Sequence, residues 1–172
     1  MDDTDFHAMA DSLLSGRYNL LIGAGVSLDS TNRHNDKLLS GAAYLKFLSE
    51  QKSLPFKYSL HDVYSMLSDD EIDRFVTDIF YECRPGPTVL RFTEYIWNRI
   101  FTFNIDDATE SAYELPSAKS QQKLSVINFS DNYLEVSDKN CLQIVRLHGL
   151  TRRRSEKYVF SKDEYIRFNE VK

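Results

Sequence analysis

A glycine-rich segment, Gly23-Ala24-Gly25-Val26-Ser27, is the first of three places where residue types and spacing point to chemistry. It follows an apolar run over residues 18–22, which predicts a short buried strand. Glycine lets a backbone approach an anionic group closely, and a helix beginning here would offer free N–H donors to a pyrophosphate. An ordinary tight turn explains the segment as well, because Leu28 occupies the third-glycine position of the dinucleotide fingerprint.

Polar side chains also follow the second predicted strand, in the segment Thr102-Phe103-Asn104-Ile105-Asp106. Open α/β sheets bind ligands at the carboxyl ends of their strands, where this segment would lie. Asn104 and Asp106 alternate with Ile105, so an extended backbone would send both polar side chains to one side. The alternative is structural: Asp106 or Asp107 would cap the helix that follows.

A histidine closes another apolar run, in the segment Val145-Arg146-Leu147-His148-Gly149. An imidazole titrates near neutral pH and can serve as a general base, and Gly149 would allow a turn or the close approach of a ligand. A structural role is the alternative for a single histidine at a strand end. The remaining histidines are expected at the surface: His7, His34 and His61.

Alternating helices and strands must position these segments. Apolar periodicity and capping boxes predict helices over residues 6–14, around Tyr44, Phe47 and Leu48, from Ser68 onward, and through residues 89–97. A short polar helix is expected over residues 107–114 and a final one after the capping box at 161–164. Strands are predicted at 18–22, 100–103, 124–129, 142–147 and, as a short one, 158–160.

This order predicts an α/β fold with a Rossmann-like parallel sheet, helices on both of its faces, and a large helical insertion between the first two strands. The chain of 172 residues has the size of a single domain. Its net charge of −5 argues against nucleic-acid binding by the surface as a whole. Since only Cys83 and Cys141 occur, with an acidic N-terminus and no long apolar run, we expect a cytoplasmic protein with reduced thiols and no membrane span.

Taken together and in this order, the three segments resemble the sirtuin (silent-information-regulator-like) superfamily. Its hallmarks are a Gly-Ala-Gly-x-Ser loop, a Thr-x-Asn-x-Asp segment and a His-Gly dipeptide, here at 23–27, 102–106 and 148–149. The resemblance covers residues 18–165 and implies an NAD-binding domain spanning 1–172. Sirtuin-like domains usually continue into further strands, so we expect these residues to be the N-terminal part of a larger domain or protein, truncated at the C-terminus.

Two departures from the deacylating sirtuins indicate the subclass. Deacylases carry a zinc ribbon of two C-x-x-C pairs soon after His-Gly, whereas residues 150–155 here contain no cysteine. In deacylases the glycine loop is also followed by a Pro-Asp-Phe-Arg type segment. The corresponding residues of this chain, 28–33, have a different sequence. In both respects the chain resembles the zinc-independent, NAD-consuming domains of prokaryotic anti-phage systems. This resemblance implies an NAD glycohydrolase that depletes NAD in abortive infection.

The resemblance also implies a role for each residue. The backbone of Gly23, Ala24, Gly25 and Val26, with Ser27, Thr102, Asp106 and Gly149, would bind NAD, which is the substrate, and no metal is expected. Asp106 would accept a hydrogen bond from the nicotinamide carboxamide. Asn104 would orient the ribose or the attacking water, and His148 would act as the base.

Two other functions stay open at this point. One is a non-catalytic domain that senses NAD or ADP-ribose, and the other, disfavoured by the absent zinc cysteines, is an NAD-dependent protein deacylase. A homo-oligomer, an additional C-terminal domain or a partner protein is expected to control the activity. The run Arg152-Arg153-Arg154 suggests a phosphate contact, although a solvated turn is the simpler interpretation.

Overall fold

A computed structural model describes residues 3–55, 57–120, 122–131, 138–152 and 158–160 of the chain. Single 3-10 turns occupy Ala24–Ser27 and Arg91–Glu94. In chain order the described helices are α1 (Asp3–Leu14), α2 (Gly41–Gln51), α3 (Leu60–Ser65), α4 (Asp69–Phe80), α5 (Pro87–Leu90) and α6 (Ala108–Glu114); the described strands are β1 (Asn19–Ile22), β2 (Arg99–Thr102), β3 (Lys123–Asn128) and β4 (Cys141–Arg146).

The strands form one four-stranded, all-parallel sheet in the order β1-β2-β4-β3. Their last residues lie in a single row, because Ile22 pairs with Thr102, Thr102 with Arg146, and Arg146 with Asn128. The glycine segment, the Asn-x-Asp segment and the His-Gly dipeptide therefore all begin at the same edge of the sheet. The predicted α/β class with a parallel sheet is confirmed.

A compact apolar core covers one face of this sheet. Ile22, Ile100, Leu142 and Ile144 are buried there with Trp97, and partly buried side chains from α1 and α6 pack against them. On the other face Leu21 is 64% exposed, whereas Gln143, Val145 and Ile127 are buried. Within the part of the chain that the structure describes, helices are seen packed against one face, so their expected presence on both faces stays a prediction.

Helices α2 to α5 lie between β1 and β2 in the chain, as expected, and three of them build a second core. This core contains Tyr44 and Leu48 from α2, side chains from α3 and α4, and Ile105 and Ala108 from the chain just after β2. Its contact with the residues after β2 brings the helical region to the carboxyl edge of the sheet. The three candidate segments thus lie where the two cores meet.

Most local signals give the expected element. Gly16 ends α1 in a left-handed conformation (φ 69°), and a reciprocal Ser68–Glu71 capping box begins α4. The helix predicted through residues 89–97 is wrong, because α5 and the 3-10 turn end at Glu94. Trp97 instead contacts the sheet: its backbone exchanges hydrogen bonds with the Gln122 side chain, and its indole is buried in the sheet core.

Residues near the C-terminus are described only in part. Residues 158–160 form no strand, although the Val159 amide donates to the His148 carbonyl at 2.9 Å. The predicted final helix at 161 and beyond lies outside the described residues, as do Arg153 and Arg154. None of the helices described is long and apolar enough to span a membrane.

Candidate functional site

The glycine segment forms a single 3-10 turn directly after β1. The Val26 amide donates to the Gly23 carbonyl at 3.1 Å, and the turn ends at the buried residue Ser27. Gly23 and Gly25 do not adopt positive φ angles, and a Cβ built on either would meet no atom within 4 Å. Neither backbone conformation nor crowding therefore accounts for these two glycines, and the space beside each is open.

A chain of hydrogen bonds joins this turn to the segment after β2. The Asn104 amide Nδ2 donates to Ser27 Oγ at 2.9 Å, and Ser27 Oγ donates to Asp106 Oδ1 at 3.1 Å. These partners lie 77 and 79 residues apart in the sequence and are all buried. The sequence expectation that Asn104 and Asp106 point to one side is confirmed, and both meet Ser27.

The direction of these bonds leaves one polar atom without a partner. Ser27 has a single hydroxyl proton, which Asp106 accepts, so Ser27 must accept from the Asn104 NH₂ group. The other atom of the amide, Asn104 Oδ1, is then buried with no hydrogen-bond partner. A buried unpaired acceptor is costly in a folded protein, and such atoms are characteristic of sites that await a ligand.

Asp106 is the most strongly perturbed carboxyl of the site. Burial disfavours its charged form and raises its pKa to about 6, although the nearby Arg146 charge and hydrogen bonds from Ala108 N and Ser27 partly oppose the rise. Its Oδ1 also accepts from the Ala108 amide at 3.2 Å, at the start of α6. The Asp106 carboxylate thus faces the site and also binds the first amide of α6, whereas Asp107, at the N-cap, makes no capping hydrogen bond with its side chain.

Arg146, at the end of β4, holds this segment in place, and sequence reasoning missed it. Its Nη1 donates to the carbonyls of Asn104 and Asp106, both at 2.7 Å. Its Nε donates to Glu110 Oε1 at 2.7 Å, and its Nη2 pairs with Glu110 Oε2. Both side chains are completely buried. An arginine inside an apolar strand was the one available signal, since a buried arginine requires a buried partner.

Thr102 and Asp107 take structural positions around the same turn. Thr102 is fully buried, and its Oγ1 accepts from the backbone N–H of Asn104 at 3.0 Å. Asp107 accepts from the amides of Cys83 and Glu82, which ties the end of α4 to the start of α6. Thr102 therefore positions Asn104 here, and its expected contact with NAD stays a prediction.

Arg152 is anchored and does not lie in a free, solvated turn. Its guanidinium donates to Asp107 at 3.0 Å, to Glu114 at 2.6 Å and to Ser111 at 3.1 Å. These bonds fasten the chain after the His-Gly dipeptide to α6. Because its N–H donors bind Asp107, Ser111 and Glu114, Arg152 has a structural role.

A cavity of about 80 Å³ lies against the hydrogen-bonded chain. Its polar lining includes Ser27, Asn104, Asp106 and Tyr44, and the rest is mostly apolar: Leu38, Leu39, Leu60, Phe80, Phe103, Ile105 and Phe160. Pockets that enclose a drug-sized ligand are several times larger, about 300–1,000 Å³. This cavity is smaller than such pockets, so only part of a ligand can enter it, with the remainder outside.

His148 lies one layer from this cavity. Its half-buried ring packs edge-on against Phe103 at 5.1 Å and Phe160 at 5.7 Å, and both of those rings line the cavity. Burial, together with the charge of His61, lowers the pKa of His148, so its imidazole is neutral and able to accept a proton at neutral pH. Gly149 has φ 109°, which only glycine adopts readily, and this explains why glycine follows the histidine.

The fold thus brings Ser27, Asn104 and Asp106 into direct contact and places His148 nearby through two aromatic rings. Among the residues that the structure describes, no group of three or more His, Cys, Asp or Glu side chains could hold a metal ion. Compared with the models of known protein families and with the sequences of characterised proteins, the chain matches none. Its function is therefore inferred from its own residues.

Proposed function

We propose that the protein binds NAD at the carboxyl edge of its parallel sheet and hydrolyses it to nicotinamide and ADP-ribose. The observation that carries the proposal is the buried Asn104–Ser27–Asp106 chain, which ends in the unpaired Asn104 Oδ1 and borders a small, mostly apolar cavity. Parallel α/β sheets bind nucleotides at this edge. The open space beside Gly23 and Gly25 supports a pyrophosphate that approaches the backbone there.

The proposed reaction breaks the bond between the nicotinamide nitrogen and ribose C1′. Nicotinamide leaves with the bonding electron pair, and the oxygen of a water molecule bonds to C1′ as an oxocarbenium-like charge develops. In this proposal Asn104 orients the ribose or the water, Asp106 faces the departing carboxamide, and His148 takes the proton of the water. In this proposal fixed dipoles, aimed at the charge that develops on the ribose, supply much of the rate.

The finer classification belongs to the same proposal. We propose a sirtuin-like, zinc-independent NAD nucleosidase with a Rossmann-like sheet, in which α2 to α5 are an insertion and NAD depletion serves defence against phage. The three motifs at 23–27, 102–106 and 148–149 and the absence of cysteine from residues 150–155 support it. A cytoplasmic location and control by an oligomer, a C-terminal domain or a partner are part of the proposal.

An assay of both products tests the reaction. Purified protein incubated with NAD should release nicotinamide and ADP-ribose in equal amounts, and Asn104→Ala and His148→Ala should each lose nearly all of this activity. Asn98→Ala and His34→Ala are matched controls, because both residues are exposed and Asn98 lies at the opposite end of β2. Full turnover in either site variant would contradict the assigned roles.

Binding without turnover is a second candidate, and one observation favours it. His148 packs against Phe103 and Phe160, and these two rings line the cavity whereas His148 does not. If they keep this position when NAD is bound, His148 does not reach the water. Saturable NAD binding without nicotinamide release would support such a sensor, and nicotinamide release only in the presence of an acylated peptide would support a deacylase.

A further inference from the structure

Tyr44, in the first turn of α2, has a buried hydroxyl that the proposed chemistry does not use. Its side chain lines the same cavity as Asn104, Ser27 and Asp106, and only 2% of the residue is exposed. Its Oη has no hydrogen-bond partner. Two residues that line the cavity thus each carry an unpaired polar atom, the acceptor Asn104 Oδ1 and this hydroxyl.

The position of the Tyr44 ring is fixed by its neighbours. It stacks on Phe47 with a centroid distance of 6.3 Å and meets the edge of Phe80 at 5.0 Å. The Ser40 hydroxyl caps α2 by accepting from the Ala43 amide, and the Tyr44 amide donates to the Ser40 carbonyl at 2.8 Å. A ring held in this way cannot turn its hydroxyl toward solvent, so the hydroxyl stays buried.

Burial raises the pKa of Tyr44 and keeps its hydroxyl protonated. A neutral phenol is a good hydrogen-bond donor, whereas Asn104 Oδ1 can only accept. Together they complement a planar group that carries a carbonyl oxygen and an N–H side by side. A primary carboxamide has this arrangement, and a ring that bears it matches the mostly apolar remainder of the cavity.

We propose that Tyr44 is a ligand-recognition residue of this site, which donates its O–H to the carbonyl oxygen of a carboxamide while Asn104 Oδ1 accepts the N–H of the same group. The identity of that carboxamide, the nicotinamide end of NAD, rests on the proposed function, and this contact replaces the orientation of the ribose or the water as the role of Asn104. The specificity of the site is then contributed by α2, outside the three motifs that the sequence singles out.

Tyr44→Phe removes the hydroxyl and keeps the ring that packs on Phe47 and Phe80. We expect its affinity for free nicotinamide, measured by calorimetric titration, to fall roughly tenfold, the usual loss when a buried hydrogen bond to a ligand is deleted. 3-Acetylpyridine keeps the carbonyl and lacks the N–H donors. Tyr44→Phe should therefore weaken its binding by a similar factor, while the wild-type protein binds it less well than nicotinamide.

Ser49→Ala is the matched control, because Ser49 lies on the same helix and has a fully buried Oγ without a partner, but does not line the cavity. Both variants remove an unpaired hydroxyl, so the thermal midpoint of the ligand-free protein should be unchanged or raised in both. Only Tyr44→Phe should lose affinity. Equal affinity in Tyr44→Phe and wild type, or an equal loss in Ser49→Ala, would overturn the assignment.

The failure of this inference is distinguishable from failure of the proposed function. If the wild-type protein binds neither NAD nor nicotinamide, the proposed function is wrong, and the Tyr44 assignment falls with it. If the wild type binds both and Tyr44→Phe binds them equally well, NAD recognition stands and only the role of Tyr44 is wrong.

Discussion

Asp106 has its carboxyl group entirely inside the protein, where the charged form loses its hydration. The raised pKa of about 6 means that the folded protein binds a proton on this group at a pH where the unfolded chain, with the ordinary value of 3.8, does not. Stability from this group is fully present below pH about 4 and is lost as the pH rises to about 6. Above that pH the buried, ionised carboxylate destabilises the fold, which is expected of a residue that is retained for its chemistry.

Asp106→Asn removes the buried negative charge. The amide oxygen can still accept the hydrogen bonds that Ala108 N and Ser27 donate to Oδ1. We expect the free energy of unfolding at pH 7.5 to rise on the order of 1–3 kcal/mol and its fall between pH 4 and 6 to disappear. Urea denaturation across this pH range measures both. Lower stability at pH 7.5, or the same pH profile as the exposed control Asp11→Asn, would contradict the account.

Gly25, in the 3-10 turn, and Gly16, after α1, give a second test at the residue scale. Gly25→Ala should leave the thermal midpoint nearly unchanged, since its Cβ meets no atom within 4 Å, but should weaken NAD binding by filling the space of the pyrophosphate. Gly16→Ala should do the reverse. Its φ is 69° and its Cβ would lie 2.6 Å from Ile96 Cγ2, so it should destabilise the protein and, where folded, leave binding unchanged.

At the scale of elements, the Arg146–Glu110 pair connects β4 to α6 and fixes the turn between β2 and α6. Removing one partner leaves the other as an unpaired buried charge, so Arg146→Met alone should cost about 3–5 kcal/mol of stability. Arg146→Met combined with Glu110→Leu removes both charges and should recover most of that loss. NAD binding should not recover in the double variant, because the Asn104 and Asp106 carbonyls still lack their donor.

Thermal unfolding and NAD titration of the single and double variants measure the two effects separately. If the double variant recovers binding together with stability, the arginine contributes only to the fold. If it recovers stability alone, Arg146 positions the segment that carries Asn104 and Asp106, which is the outcome we expect.

Elements that depend on near neighbours in the chain were predictable. The Ser68–Glu71 capping box, the glycine that ends α1 and four of the five apolar strands are set within a few residues and are found, whereas residues 158–160 form no strand. The helix predicted through residues 89–97 is wrong, because Trp97 packs against a sheet that its local sequence does not contain. Arg146 and Glu110 lie 36 residues apart, so their pairing carries no local signal.

At the scale of the whole molecule, the parallel sheet explains why three segments scattered over the sequence meet. Strand order places β2 between β1 and β4, so the ends of these three strands are adjacent. The alternation of Asn104 and Asp106 about Ile105 predicted a common side, and the structure adds their shared partner, Ser27. The cavity and the hydroxyl of Tyr44 could not be predicted, because they arise only when the helical core packs against this edge.

Control of the activity by self-association stays a prediction at this scale. If an oligomer is the active form, the rate of nicotinamide release per protomer should rise with protein concentration, and light scattering should show a matching increase in mass. A rate per protomer that stays constant while the mass changes would contradict such control.

The central claim is that the buried Asn104–Ser27–Asp106 chain forms an NAD site, and calorimetric titration with NAD tests it most directly. We predict saturable binding by the wild-type protein and by Asn98→Ala, and at least a tenfold loss of affinity in Asn104→Ala at an unchanged thermal midpoint. No saturable binding by the wild type, or equal binding by Asn104→Ala, would contradict the claim.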